Sequence, residues 1–206
     1  MMSKKWTATV CAVLATCLTC SKDKKEVSDI LPIHATLSLT AVAGDPVVFF
    51  QRNPSDVSSD DDVVIVDVML RSSALQSFEA FDLEIRFDPG LVQIGQVNDT
   101  ATPFGNCDSG SVCAPICLNN AGTPSPNANV TGDLIIGVAA RPAPCMTAAV
   151  PPDVKLLTLA FIAAAAGTST LELVDGPGTG DCEILSGGSP LPIPCNSGSA
   201  TVIASR

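Results

Sequence analysis

From Phe81 to Asp88 the chain alternates without a break: Phe81, Leu83, Ile85 and Phe87 are apolar, and Asp82, Glu84, Arg86 and Asp88 are charged. Successive side chains of an extended strand point to opposite faces. A strand here therefore has one apolar and one charged face, which is the pattern of a half-buried strand in an antiparallel sheet. A helix would scatter the same apolar residues around its circumference. Asp88-Pro89-Gly90 then supplies a turn, and Leu91 to Val97 reads as the next strand.

The same period of two recurs along the chain. Leu37, Leu39 and Ala41 alternate with Ser38, Thr40 and Val42. Val64, Val66, Val68 and Leu70 alternate with Val63, Ile65, Asp67 and Met69, so that strand is apolar on both faces at its start. Further strands are expected at 133–140, 154–163, 168–174 and 199–204. Twelve of the sixteen prolines follow residue 100, mostly between these runs, where they interrupt helix and ladder alike. Short strands joined by Gly/Pro turns, with no helix signal, predict an all-β chain folded as an antiparallel β-sandwich. At 206 residues the chain is long enough for one such domain with a real core.

The first residues read as an address. Lys4 and Lys5 precede an apolar run from Trp6 to Leu18, the pattern of a secretory signal. The run is shorter than the ~20 apolar residues a membrane-spanning helix needs. Leu14-Ala15-Thr16-Cys17 resembles a bacterial lipobox, although Thr16 departs from the usual small residue. That resemblance implies a signal over 1–20 with lipid on Cys17, or alternatively on Cys20. The polar, mixed-charge stretch 21–34 reads as a tether. It contains Lys22, Lys24 and Lys25, and the lone histidine, His34, stands at its end as a solvated linker residue. The expected location is the bacterial cell envelope or surface, as an exported, lipid-anchored protein.

The net charge is −10, and from Val27 onward six bases face nineteen acids. A body this acidic is a poor partner for nucleic acid or anionic lipid. Its six cysteines are Cys107, Cys113, Cys117, Cys145, Cys182 and Cys195. In an exported chain that even number reads as three disulfides. Cys182 is expected to pair with Cys195, closing a Gly/Pro-rich stretch with little core of its own. The other four would pin an insert near 99–130. A metal site on Cys113-x₃-Cys117 is the weaker reading, because no histidine is near and exported thiols oxidise. No metal or cofactor is expected.

Two blocks resemble the cohesin domain. One is Val66-Asp67-Val68-Met69-Leu70 followed by Phe81-Asp82-Leu83-Glu84-Ile85-Arg86-Phe87-Asp88-Pro89-Gly90-Leu91-Val92-Gln93-Ile94. The other is Leu157-Thr158-Leu159-Ala160-Phe161 with Gly167-Thr168-Ser169-Thr170-Leu171, similar to a closing hairpin. The resemblance covers about 35–205, apart from the insert. It implies a jelly-roll sandwich of about nine strands, kin to carbohydrate-binding modules. It also implies a sheet face that docks the calcium-loaded dockerin module of another protein. Family members carry an Asn-x-Asp pair on the alternating strand; here those positions are Ala80 and Asp82. Asp82 is thus a partner-binding candidate, and Glu84 and Arg86 extend the same face by alternation.

Enzyme chemistry finds little support. With His34 the only histidine, no nucleophile triad can be assembled in the body unless His34 folds back onto it. Asp82 and Glu84 would lie about 7 Å apart, a spacing any acidic strand offers. The run Ser58-Ser59-Asp60-Asp61-Asp62 lacks the spacing of a calcium loop and reads as a solvated acidic turn. Gly176 to Gly180 is a turn, and the glycosylation patterns at Asn98 and Asn129 are given no role. Polysaccharide binding is the alternative to protein binding, linked to polysaccharide breakdown; a passive structural envelope protein is a third reading. Sugar platforms use exposed aromatic rings. With no Tyr, and with Trp6 in the signal, Phe49, Phe50, Phe78 and Phe104 are the candidates for a surface ring.

Overall fold

The computed structural model describes residues 32–56, 61–98, 102–107, 110–121, 127–141, 148–149, 152–174, 182–195 and 200–205. The expected signal, the lipidation candidates Cys17 and Cys20, and nearly all of the tether lie outside them. So do Cys145, Ser58 to Asp60 and Gly176 to Gly180.

In chain order the strands are β1 (His34–Leu39), β2 (Val47–Arg52), β3 (Val63–Arg71), β4 (Ser77–Phe78), β5 (Ala80–Arg86), β6 (Val92–Asn98) and β7 (Ile116–Asn119). One helical turn, α1 (Ala128–Thr131), precedes β8 (Asp133–Ala139), β9 (Ala148–Ala149) and β10 (Asp153–Ala163). The chain closes with β11 (Gly167–Leu173), β12 (Glu183–Ser186), β13 (Ser189–Pro192) and β14 (Ala200–Ser205). The larger sheet runs β1-β14-β11-β5, with β8 and then β7 beyond β5. β12 shares the β11 side of β5, and β13 pairs with β12. The smaller sheet is β2-β3-β10-β6, and β4 pairs with β9. All these pairings are antiparallel, and the chain crosses repeatedly from one sheet to the other, so the architecture is the expected β-sandwich.

The alternation read from the sequence forms the core. Phe81, Leu83 and Ile85 of β5 and Leu134, Ile136 and Val138 of β8 are buried from one sheet. Val64, Val66, Val68 and Leu70 of β3, with Leu157, Leu159 and Phe161 of β10, are buried from the other. Phe87 and Phe161 meet edge to face, with centroids 5.7 Å apart, a favoured aromatic geometry.

Several expectations are corrected. There are fourteen strands among the described residues, where about nine were expected, because short strands interrupt the expected loops. β2 is a strand that the sequence reading does not include, and its Val47 to Phe50 are all buried. Phe49 is covered on the outer side by Arg71, whose guanidinium carbon sits 4.9 Å from the ring centroid, a cation–π contact. The stretch after Cys182 is a hairpin rather than a coreless loop. Gly187 and Gly188 both have positive φ, 59° and 76°, as a two-residue hairpin turn requires. Ile184 and Ile193 beside it are buried. His34 is no linker residue: it opens β1, half-buried and paired with Ser205. None of the four candidate phenylalanines is a surface ring. Phe49, Phe50 and Phe78 are buried, and Phe104 packs against Phe78 at 5.0 Å between centroids.

Cys182 and Cys195 are bonded, as expected, and so are Cys107 and Cys117. Cys113 is also in a disulfide. Since the Cys117 sulfur is committed to Cys107, the Cys113-x₃-Cys117 metal reading fails.

Candidate docking surface

The outward side chains of β7, β8, β5 and β12 form rows fixed by strand register. Leu118 lies opposite Gly137, Gly137 opposite Asp82, and Asp82 opposite Glu183. The next row is Ile116, Ala139, Ala80 and Leu185. On the other side of Asp82, Ile135 lies opposite Glu84, and then Asp133 opposite Arg86 and Arg86 opposite Glu172. The face is thus apolar on the β7 side and acidic along β5 and its neighbours. Leu118 is 71% exposed, Ile116 48% and Ile135 41%.

The sequence placed Asp82, Glu84 and Arg86 on one outward face, and the structure does so too, but it gives them different states. Arg86 donates to Glu84 at 2.9 Å from Nε, with Nη2 at 2.7 Å, and reaches Asp133 at 3.3 Å. Glu84 and Asp133 hold the guanidinium in its charged form, so its pKa is raised. Glu84 and Arg86 therefore satisfy each other.

Asp82 has no such counterpart. Its Oδ1 is buried without a hydrogen-bond partner. Burial raises its pKa above 3.8, the Leu83 backbone N–H offsets this in part, and the charge of Glu183 raises it further. An unpartnered carboxylate oxygen at a surface depression is costly for the free protein. Shallow depressions of about 220 and 280 Å³ flank it, and Asp82, Leu118 and Gly137 line both. The missing side chain of Gly137 opens the floor: a Cβ there would stand 3.9 Å from Asp82 Oδ1.

Gly137, Leu118, Ile116 and Glu183 escaped the sequence reading. A glycine inside the alternating run 133–140 was a usable signal, since strand glycines mark close approach of another group. Glu183 was legible only through the Gly187-Gly188 turn, which folds its hairpin onto β5. β7 is held in place from two directions. Cys117 is bonded to Cys107, and Asn120 just beyond the strand clamps β8: its Nδ2 donates to Asp133 O at 2.9 Å and its Oδ1 accepts from Ile135 N–H at 2.8 Å.

No family model matches this sequence, and no curated protein does. Solved structures do match in fold. One is the second type II cohesin module of an adaptor scaffoldin from Acetivibrio cellulolyticus, at TM-score 0.53 and 10% identity, covering 77% of this chain and 91% of that one. Another is a type II cohesin domain from the cellulosome of the same organism, at TM-score 0.51 and 11% identity, covering 76% and 95%. With the sandwich, its strand register and these likenesses together, the chain has the cohesin fold.

Proposed function

We propose that this protein is a non-catalytic adhesion or scaffolding module whose outer β7-β8-β5-β12 face docks a dockerin-like protein. The observation that carries the reading is Asp82, whose Oδ1 is buried without a hydrogen-bond partner beside exposed Leu118 and Ile116, on the strand that carries the cohesin-like sequence block. A docking partner would cover the apolar side chains and complete the hydrogen bonding of the carboxylate, two features that cost the free protein. The disulfides fit an exported protein. Export through the N-terminal signal, with lipid on Cys17 or Cys20, would place the face at the cell envelope. No described helix is long and apolar enough to cross a membrane.

Capture from the source envelope and culture supernatant tests the reading, using the full oxidised chain with calcium and with chelator. The expected result is a calcium-dependent partner bearing duplicated Asp-rich loops, lost in Asp82→Lys. A captured partner that ignores Asp82→Lys would move the docking face elsewhere. Retention of envelope polysaccharide without protein would overturn the reading in favour of carbohydrate binding.

A further inference from the structure

Asp82 and Glu183 stand opposite each other on adjacent strands, and like charges so placed repel. No base in the described residues relieves them. Arg52 is paired with Asp56, Arg71 with Asp153, Arg86 with Glu84 and Asp133, and Lys155 lies beside Asp67. Arg141 donates to the Ala114 carbonyl. The pair borders a depression of about 220 Å³ whose other walls are Ala80, Ala139, Ile116, Leu118 and Leu185. One side of the recess is therefore acidic and the rest is aliphatic.

We propose that this recess takes a lysine or arginine side chain of the docking partner, with its methylene stem against Leu118 and Ala139 and its cationic head between the carboxylates of Asp82 and Glu183. The proposal rests on the docking reading above and names the anchor that reading lacks. The two long cationic side chains are the ones that present an aliphatic stem and a charged head together. An apolar anchor would cover the recess but leave Asp82 Oδ1 without a partner, the costlier outcome. A hydroxyl would fill one lone pair of Asp82 and leave the repulsion with Glu183 untouched. A cation answers both, through charge-assisted hydrogen bonds.

The test is an NMR titration of the ¹⁵N-labelled, oxidised full chain with n-butylguanidinium and, separately, with n-butanol, which shares the alkyl stem and lacks the charge. The expected result is saturating movement of the Gly137 and Leu118 amides with n-butylguanidinium, at a midpoint at least about tenfold below that of n-butanol. Asp82→Asn and Glu183→Gln should each weaken that response. Equal response to the two probes, no movement at these amides, or an undiminished response in both variants would overturn the proposal. The two readings fail separately. A partner captured by the wild type and lost in Asp82→Lys, with no preference for the cation, leaves the docking face standing and rejects the cationic anchor. A cation-selective recess with no captured partner rejects the docking reading alone.

Discussion

Asp82 on β5 and Glu183 on β12 are direct cross-strand neighbours, two acids facing each other across one ladder of the larger sheet. Burial of Asp82 and then the facing charge of Glu183 disfavour the charged form of Asp82, and its pKa is raised from 3.8. Between 3.8 and that higher folded value the native state binds more protons than the unfolded chain. Stability attributable to Asp82 therefore falls as pH rises through this window. Asp82→Asn should stabilise the free domain by about 0.5 kcal/mol at pH 7, and the gain should vanish below pH 3.8. Thermal unfolding across pH checks it; a destabilised variant at neutral pH would contradict the sign. The same substitution should weaken partner binding, so stability and binding move in opposite directions.

Gly137 offers a separable handle on the face. Its built Cβ meets only Asp82 Oδ1, at 3.9 Å, an ordinary contact. Gly137→Phe should leave unfolding free energy within about 1 kcal/mol of wild type while filling the depressions beside Asp82. Calorimetry with the captured partner should then show no binding, and unchanged affinity would place the contact elsewhere.

Two asparagines do the work of strand backbone. Asn129 accepts from Ile94 N–H at 2.6 Å and donates to Ile94 O at 3.0 Å, as a paired strand residue would. Asn120 does the same for β8 through Asp133 and Ile135. Asn129→Ala strips both partners from Ile94 and should cost about 2 kcal/mol in urea unfolding. A loss under 0.5 kcal/mol would mean solvent replaces both bonds. Because the side chain is committed, the glycosylation pattern at Asn129 has a structural explanation.

Gly132 closes α1 with φ 82°. A Cβ there would stand 2.4 Å from the Phe87 carbonyl oxygen, and the Gly132 carbonyl accepts from Phe87 N–H at 2.9 Å. Gly132→Ala combines a left-handed backbone with a clash against main chain, and should cost about 2 kcal/mol or more. Denaturant unfolding of the purified variant reads this directly, and near-wild-type stability would mean the β5–β6 turn can yield.

The Cys107–Cys117 bond closes a separation of 10 residues. Replacing both cysteines with serine should cost about 3 kcal/mol in the chain-entropy model. It should also release β7, with Ile116 and Leu118, from the docking face. Partner affinity is expected to fall with it. Binding and unfolding measurements on the Cys107/Cys117 variant check both, and unchanged affinity would argue against β7 as a wall of the site.

What was legible in the sequence follows from where one face met solvent. β5, β8 and β11 alternate because their outer sides are wet, and the period of two exposed them. β2 was illegible because Arg71 covers Phe49 from outside and leaves four buried residues in a row. The short strands β4, β7, β9, β12 and β13 span two to four residues, too few to show a period. Asp82, Glu84 and Arg86 were readable as a face, whereas the contrast among them was not. That Arg86 neutralises Glu84 and Asp133 but not Asp82 depends on side-chain reach across strands. The facing of Asp82 and Glu183 depends on a hairpin turn about a hundred residues away along the chain.

β5 lies between β8 along its whole length and β12 and β11 on its other edge. A strand so enclosed opens only when the sheet does, and its amides should exchange with solvent among the slowest in the protein. The carboxylate at the centre of the proposed docking face is therefore mounted on a strand held along both edges. A partner docking there would meet a surface whose backbone is ordered before contact, so the conformational entropy of arranging it would fall on folding rather than on association.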